Sequence, residues 1–405
     1  MSCDQQGLLP LATAIEALLS DLEPVAVTES VDLLQARNRV LAEAIHSRVD
    51  VPPADNSAMD GYAVRMLDLI AAGEDWLPVS QRVPAGQAPG PLQPGTVARI
   101  LTGAEVPPGA DIVVMQELAE VKGERVRLPL GAVPGQNIRR RGQDIHSGGL
   151  LLPAGRRLDA MAIAVLASAG IERVSVYCPL KVALLCTGDE LVPPGQPLAH
   201  GQIYNSNRYL LHGLIETLGM EVVDLGQVAD DPASLEQVLL RAAEQADAIL
   251  TTGGVSVGEE DHLRPAIERL GELTLWKINL KPGKPFAAGV VEGTPIFGLP
   301  GNPGSALLTF ALLARPCLNR LQGDTAIKPF SVTATAGFSR ERRIKREEYV
   351  RVYCEADGTL QLASQQSSGA LSPMLHANGF ARLPANQPVE LGQALDFYPL
   401  DGLVR

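Results

Sequence analysis

Between Leu180 and Cys317, short apolar runs alternate with amphipathic ones, and few folds accommodate that alternation. KVALLCT (181–187) is a continuous apolar run of strand length. NRYLLHGLIETLG (207–219) puts Leu210, Leu211, Leu214, Ile215 and Leu218 on one helical face and stops at Gly219. EVVDL follows as a second strand, then DPASLEQVLLRAAEQA as a helix with Asp231 as N-cap and Pro232 at its first position. DAILTT reads as a third strand, HLRPAIERLG as a short helix, and LTLWKINL, PFAAGVV and TPIFGL as further strands. PGSALLTFALLARPC closes the unit as a helix. Strands buried on both faces and joined through helices imply a mostly parallel α/β sheet with helices on both sides.

The flanking sequence has a different texture. Leu11, Ile15, Leu18, Leu19 and Leu22 recur at helical spacing, so the chain opens with an amphipathic helix that ends before Pro24. From about Val25 to Pro179, short Val- and Leu-rich runs are broken by PP and PG pairs, the pattern of short strands and turns, with one helix near Asp159–Ala169. After about Gly323, SVTATAG, EYVRVYC and TLQLAS predict a small separate β domain. With 405 residues the chain is too long for one core. The expected fold is therefore a mixed α/β multidomain protein.

Charge and composition exclude several functions. A formal net charge of −12 disfavours non-specific binding to nucleic acid or to an anionic membrane. An aromatic fraction of 4% leaves few stacking faces for single strands. Cys3, Cys178, Cys186, Cys317 and Cys354 are scattered and form no CxxC, so inert thiols in a reducing compartment are expected. The six histidines make no zinc pattern. MSCDQQGLLP lacks the basic and apolar regions of a leader, and no run approaches a membrane span, so a cytoplasmic protein is expected.

In open α/β sheets, ligands bind outside the carboxyl ends of the strands. TGDEL (187–191), TTGGVSVGEED (251–261), KPGKP (281–285) and LPGNPGS (299–305) fall where those ends should be. Gly253, Gly254 and Ser256 belong to a turn whose N–H groups could approach an oxyanion closely. No GxxxxGK[ST] is present, which disfavours ordinary nucleotide triphosphate hydrolysis. A single glycine-rich turn of this kind is as often only a tight βα connection. Lys277, Lys281 and Lys284 cluster, and in one strand Lys277 and Lys281 would share a face. Asp189, Glu190, Asp230, Asp231 and Glu259 to Asp261 supply carboxylates near the same ends, suited with substrate phosphates to Mg²⁺. One of Asp230 and Asp231 is expected to be only a helix cap.

Three stretches of the first half complete the set. DVPPADNSAMDGYAV (50–64) carries Asp55 and Asp60, RILTGAEVPPGAD (99–111) presents Thr102, and NIRRRGQDI (137–145) places Arg139, Arg140 and Arg141 beside Asp144. At least one of those arginines is expected to be an ordinary solvated charge.

DNSAMDGYAV, ILTGAEVPPGAD, RRRGQDI, TGDEL, TTGGVSVGEED, KPGKPF and GLPGNPGS, in this order, resemble the signature set of the MoeA and gephyrin E-domain family of molybdopterin molybdenumtransferases. The resemblance runs from about residue 8 to the end. It implies an elongated protomer with four parts: a β-rich linking domain of 27–45 with 146–178, an inserted domain of 46–145, an α/β molybdopterin-binding domain of 8–26 with 179–326, and a C-terminal β-barrel-like domain of 327–405. It implies a homodimer whose site lies between subunits, adenylyl-molybdopterin and molybdate as substrates, Mg²⁺ as cofactor, and transient contacts with other molybdenum-cofactor biosynthesis proteins. Carried over residue by residue, the family's catalytic positions fall on Asp60, Thr102, Asp144, Glu190, Asp261, Lys277 and Lys281. Glu190, Asp230 and Asp261 are the metal candidates. Substrate contacts fall on Arg139, Asp230, Gly253, Gly254, Ser256, Lys284, Pro300 and Pro303, with Ser368 and Ser372 in the less similar SSGALSPMLHANG. Thr252 stands where many relatives carry Ser, and the hydroxyl is kept.

Two other readings differ in kind. A molybdopterin adenylyltransferase or a nicotinamide-nucleotide amidase would resemble 180–320 but lack DNSAMDGYAV, RRRGQDI and the C-terminal β domain. A receptor-clustering scaffold of the gephyrin type would not need its lysines and carboxylates, and here they are intact.

Overall fold

The computed structural model describes residues 8–25, 27–255 and 262–404. Its central unit is a six-stranded sheet in the order Glu221–Val228, Lys181–Thr187, Ala248–Thr252, Thr294–Leu299, Pro285–Val291 and Gly271–Lys277. The first four of these pair in parallel, and Pro285–Val291 runs antiparallel to both of its neighbours. Strand Gly271–Lys277 therefore ends on the same edge as the parallel strands, which brings all four glycine- and proline-rich loops to one side.

Two apolar layers sandwich the sheet. One face packs Val182, Leu184 and Leu250 against Leu211, Leu214 and Ile215 and against the first helix, Leu11–Ser20, through Leu11, Ala14 and Leu18. The other face packs Ala183, Leu185 and Ile249 against Leu235, Leu239, Ala266 and Ile267. Alternate residues of each strand serve opposite faces, as the pleat requires. The helix Pro232–Gln245 starts as expected, with the Asp231 carboxylate accepting from the N–H groups of Ala233 and Ser234.

Two elements depart from the sequence reading. LTLWKINL is not one strand: Gly271–Lys277 ends in the central sheet, and Leu280–Lys281 pairs in parallel with Glu347–Glu348 of the C-terminal unit. Between them, buried Ile278 donates its N–H to Lys284 and Asn279 donates to Leu9, which turns the chain from one sheet to the other. Lys277 and Lys281 therefore do not share a strand face. The closing helix is also interrupted, running Pro303–Thr309, a π segment Phe310–Ala314 and Arg315–Leu321. Pro316 has no N–H to give and would crowd the carbonyl a turn earlier, which the wider π turn relieves.

The C-terminal unit is a closed β structure. Glu347–Cys354, Thr359–Leu362, Val332–Ala336, Ala394–Pro399 and Gly379–Leu383 pair in that order, and the last returns to the first. Residues 61–127 hold a separate six-stranded sheet running from Ile112–Met115 to Glu120–Lys122, with core residues on both faces. A small further unit is formed where Thr28–Asp32 pairs with Arg173–Tyr177 and Ile45–His46 with Leu150–Leu152. Helix Ala160–Ser168 packs on that unit, capped by the Asp159 carboxylate. Among the described residues no helix is long and apolar enough to cross a membrane.

Candidate functional site

Two adjoining clefts open along the loop edge of the central sheet. The first, about 290 Å³, is lined by Thr187, Gly188, Glu190, Asp230, Asn207, Thr252 to Val255 and Pro300 to Asn302, among others. Its floor is a tight polar network. Thr252 Oγ1 donates to the Pro300 carbonyl at 3.0 Å. Asn207 Nδ2 donates to Thr252 Oγ1 at 3.0 Å and to the Gly301 carbonyl at 2.8 Å. Because both carbonyls can only accept, every proton in the chain is assigned. The network ties the end of strand Ala248–Thr252 to the loop that follows Thr294–Leu299, and a backbone bond from Gly253 N to Leu299 adds to it.

The glycines of this floor are there for space and conformation. Gly253 has φ +95°, and a Cβ on it would stand 2.4 Å from the Thr187 carbonyl oxygen. The Thr187 hydroxyl is buried and has no hydrogen-bond partner among the described residues, and neither does Asn207 Oδ1. Both residues line the cleft, with these two atoms beneath its surface.

Carboxylates gather at its mouth. Asp189 Oδ1 accepts from the Asp230 N–H at 3.1 Å. Burial pushes the Asp230 carboxyl above the ordinary aspartate range, and the nearby charges of Asp189 and Glu190 push the same way. Its neighbour behaves oppositely: the cap hydrogen bonds from Ser234 and Ala233 hold Asp231 below that range. Asp231 is thus the cap of the pair, and Asp230 faces the cleft. Among the described residues no group of three metal-ligating side chains is arranged around a common point. Asp261 and Ser256 lie outside the described residues.

The second cleft, about 540 Å³, is basic. Lys281, Lys284, Arg340, Arg342 and Arg346 line it together with Ser305, Ser367, Ser368 and, among the described residues, a single carboxylate, Glu348. Pro285 and Asn302 belong to both clefts. The two-residue strand Leu280–Lys281 pins the KPGKP loop to the C-terminal unit, and Arg346 Nη1 donates to the Leu280 carbonyl at 3.1 Å. The segment carrying Ser367 and Ser368 is held by buried Arg351, which donates to the carbonyls of Ser367 at 2.9 Å and Ala370 at 2.8 Å.

The structure sorts the residues singled out from sequence into three groups. Glu190, Asp230, Gly253, Gly254 and Pro300 line the first cleft, and Lys281, Lys284 and Ser368 the second. Lys277 lies across from Pro285 in the sheet but lines neither, Pro303 begins the helix behind them, and Ser372 lines a separate groove with Tyr353 and Leu375. Asp60, Thr102, Arg139 and Asp144 line neither cleft. Asp60 Oδ1 accepts from both the N–H and the hydroxyl of Thr102, each at 2.7 Å, and these bonds hold its carboxyl below the usual range. Arg140 and Arg141 pair with Asp55 and Asp50, each at 2.6 Å, and clamp the two segments of that unit together.

Sequence reasoning missed Asn207, Ser305, Glu348, Arg340, Arg342 and Arg346. RERRIKREE (340–348) is visible as a charge run, but such a run is ordinarily a solvated face.

Comparison with known proteins matches this architecture along its whole length. Residues 9–170 match the MoeA N-terminal region (domains I and II), 183–320 the probable molybdopterin-binding domain, and 333–400 the MoeA C-terminal region (domain IV). A molybdopterin molybdenumtransferase of Haemophilus influenzae is 40% identical, with 98% of this chain and all of that protein aligned. One of Nostoc sp. is 36% identical over 93% of this chain and 89% of its own. The crystal structure of a molybdopterin biosynthesis MoeA protein from Pyrococcus horikoshii superposes with TM-score 0.84 at 30% identity, covering 97% of this chain and 100% of the other. Three matching family regions, a relative 40% identical along its full length and a superposable fold lead to one assignment: this chain belongs to the MoeA family of molybdopterin molybdenumtransferases.

Proposed function

We propose that this protein inserts molybdenum into molybdopterin, taking adenylyl-molybdopterin and molybdate and releasing molybdenum cofactor and AMP. The observation that carries the reading is the adjacency of a small cleft with carboxylates at its mouth and a cation-rich cleft, joined at Pro285 and Asn302. The two substrates have matching needs. The phosphoanhydride of the first fits beside glycine-turn amides and carboxylates that can share a divalent cation, and the tetrahedral dianion fits among lysines, arginines and serine hydroxyls.

Mg²⁺ is held by one or two carboxylates plus substrate phosphates, and the crowded Glu190 and Asp230 fit that donor set. Asp261 is the third candidate from sequence. When bound, the ion would offset negative charge on the phosphates. The protein's own contribution is position and electrostatics. The turn at Gly253 and Gly254, held by Thr252 and Asn207, would orient the adenylylated group, while Lys281 and Lys284 would hold molybdate beside it. Charge developing as the anhydride opens is met by donors already in place. No side-chain nucleophile is required.

Asp60, Thr102, Arg139 and Asp144 stand on a unit that contributes to neither cleft within one chain, which supports a homodimer in which a second subunit completes the site. A cytoplasmic location and transient contacts with other enzymes of cofactor biosynthesis belong to the same reading. The test is direct: purified protein, adenylyl-molybdopterin, Mg²⁺ and molybdate should release AMP and activate a molybdoenzyme apoprotein. AMP release without molybdate dependence, or none at all, would sink it.

A further inference from the structure

A carboxylate among cations is an odd component of an oxyanion cleft. Glu348 is only 8% exposed, yet it lines the basic cleft with both oxygens facing cations. Oε1 lies 2.9 Å from Lys281 Nζ and accepts from Arg340 Nη2 at 3.1 Å, and Oε2 lies 2.9 Å from Arg340 Nη1. The strand pairing sets Lys281 directly beside Glu348, so the contact is built into the backbone register. Lys284 and Arg342, in the same cleft, have no ion pair with a described residue.

We infer that Glu348 is an internal counter-ion that sets the affinity of the basic cleft for its tetrahedral dianion. The inference rests on the oxyanion reading above and adds what that reading lacks, a reason for one buried negative charge in an anion site. Glu348 fixes two cations whose long side chains would otherwise sample many rotamers, and it opposes any anion that approaches them. A bound dianion must compete with Glu348 for Lys281. The result is a cleft that is preorganised without being a trap: it holds the dianion weakly enough to give it up. A cleft of unopposed cations would hold any tetrahedral dianion more tightly and release it more slowly.

The contrast with a merely structural ion pair lies in the sign of the effect. If Glu348 only held Lys281 and Arg340 in place, Glu348→Gln would scatter them and weaken anion binding. As a counter-ion, its loss should tighten binding.

The experiment is molybdate binding to the full chain by calorimetry or equilibrium dialysis at low and high salt, with sulfate and phosphate as competitors. Glu348→Gln is expected to bind molybdate at least about tenfold more tightly than wild type at low salt, with a steeper salt dependence and a parallel gain for sulfate and phosphate. Unchanged or weaker binding by a folded Glu348→Gln protein overturns the inference while leaving the oxyanion cleft standing. Wild type that binds no molybdate overturns both. Should Glu348→Gln fail to fold, Arg340→Gln and Arg342→Gln decide the matter. Loss of Arg340 leaves the Glu348 charge facing Lys281 alone, and should weaken molybdate binding several-fold more than loss of Arg342. Equal losses would mean that only total charge matters, and would remove Glu348 from the account.

Discussion

Thr252 offers a substitution in which packing and hydrogen bonding make opposite demands. It is 2% exposed, its hydroxyl donates to the Pro300 carbonyl, and it accepts from Asn207. Thr252→Val keeps the shape and deletes the hydroxyl. Losing the Asn207 bond costs about 0.5–1.5 kcal/mol and leaving the buried Pro300 carbonyl unpaired costs roughly 1–3 kcal/mol, so the Val variant should lose about 2–4 kcal/mol. Thr252→Ser deletes a methyl and keeps the network, at about 1 kcal/mol. Packing alone ranks Val as the milder change, and the network ranks Ser so. At about 2–4 °C per kcal/mol for a unit of this size, the Val variant should melt roughly 5–15 °C lower and the Ser variant only a few degrees lower. Scanning calorimetry on both measures this. The same network connects the Gly253 turn to the loop carrying Pro300 and Asn302, so AMP release should fall sharply in Val and stay near normal in Ser. A Val variant as stable as the Ser variant would refute the proton assignments on which the cleft floor rests.

The remaining expectations follow from the same geometry. Asp230→Asn should stabilise metal-free protein at neutral pH while lowering AMP release. A carboxyl whose folded pKa is raised destabilises the fold above its unfolded value, and wild type should catch up as pH falls through that window. Its neighbour should do the reverse: Asp231→Ala should cost about 0.5–2 kcal/mol of stability through the lost cap, and Asp231→Asn little. Lys281→Ala and Lys284→Ala should each raise the molybdate concentration needed for turnover about tenfold or more, whereas Lys181→Ala, at an exposed strand start, should be silent within about twofold. Equal effects from all three would point to bulk charge. Mixing Asp60→Ala with Glu190→Ala protein under subunit exchange should restore activity if the site is shared, and a verified mixed dimer with none would count against sharing.

What could be read from sequence was local. Strands of the central sheet and their helices follow from unbroken apolar runs and from stripes of period near four, and the Asp231–Pro232 start is written in two adjacent residues. The clustering of TGDEL, TTGGV, KPGKP and LPGNP on one edge also followed, because each lies where a strand of known direction must end. The residues that escaped depend on pairings distant in sequence. Asn207 reads as one polar position in an amphipathic helix, and only the fold reveals that its amide reaches Gly301. Arg340, Arg342 and Arg346 read as a solvated run until a strand of two residues brings them to the KPGKP loop.

That short strand also changes what the C-terminal unit is for. Lys281 belongs by sequence to the central α/β unit, yet its backbone is hydrogen-bonded into the C-terminal sheet and its ammonium is met by a carboxylate of that sheet. The loop edge of an α/β sheet is by itself a general site for anionic ligands. Here the second cleft exists only where the two units meet: one wall is Lys281 to Pro285 with Asn302 and Ser305, and the other is Arg340 to Val350 with Gln366 to Ser368. Substitutions deep in the C-terminal unit, Arg351 above all, should therefore act on the oxyanion without touching it, by moving the wall that Ser367 and Ser368 form.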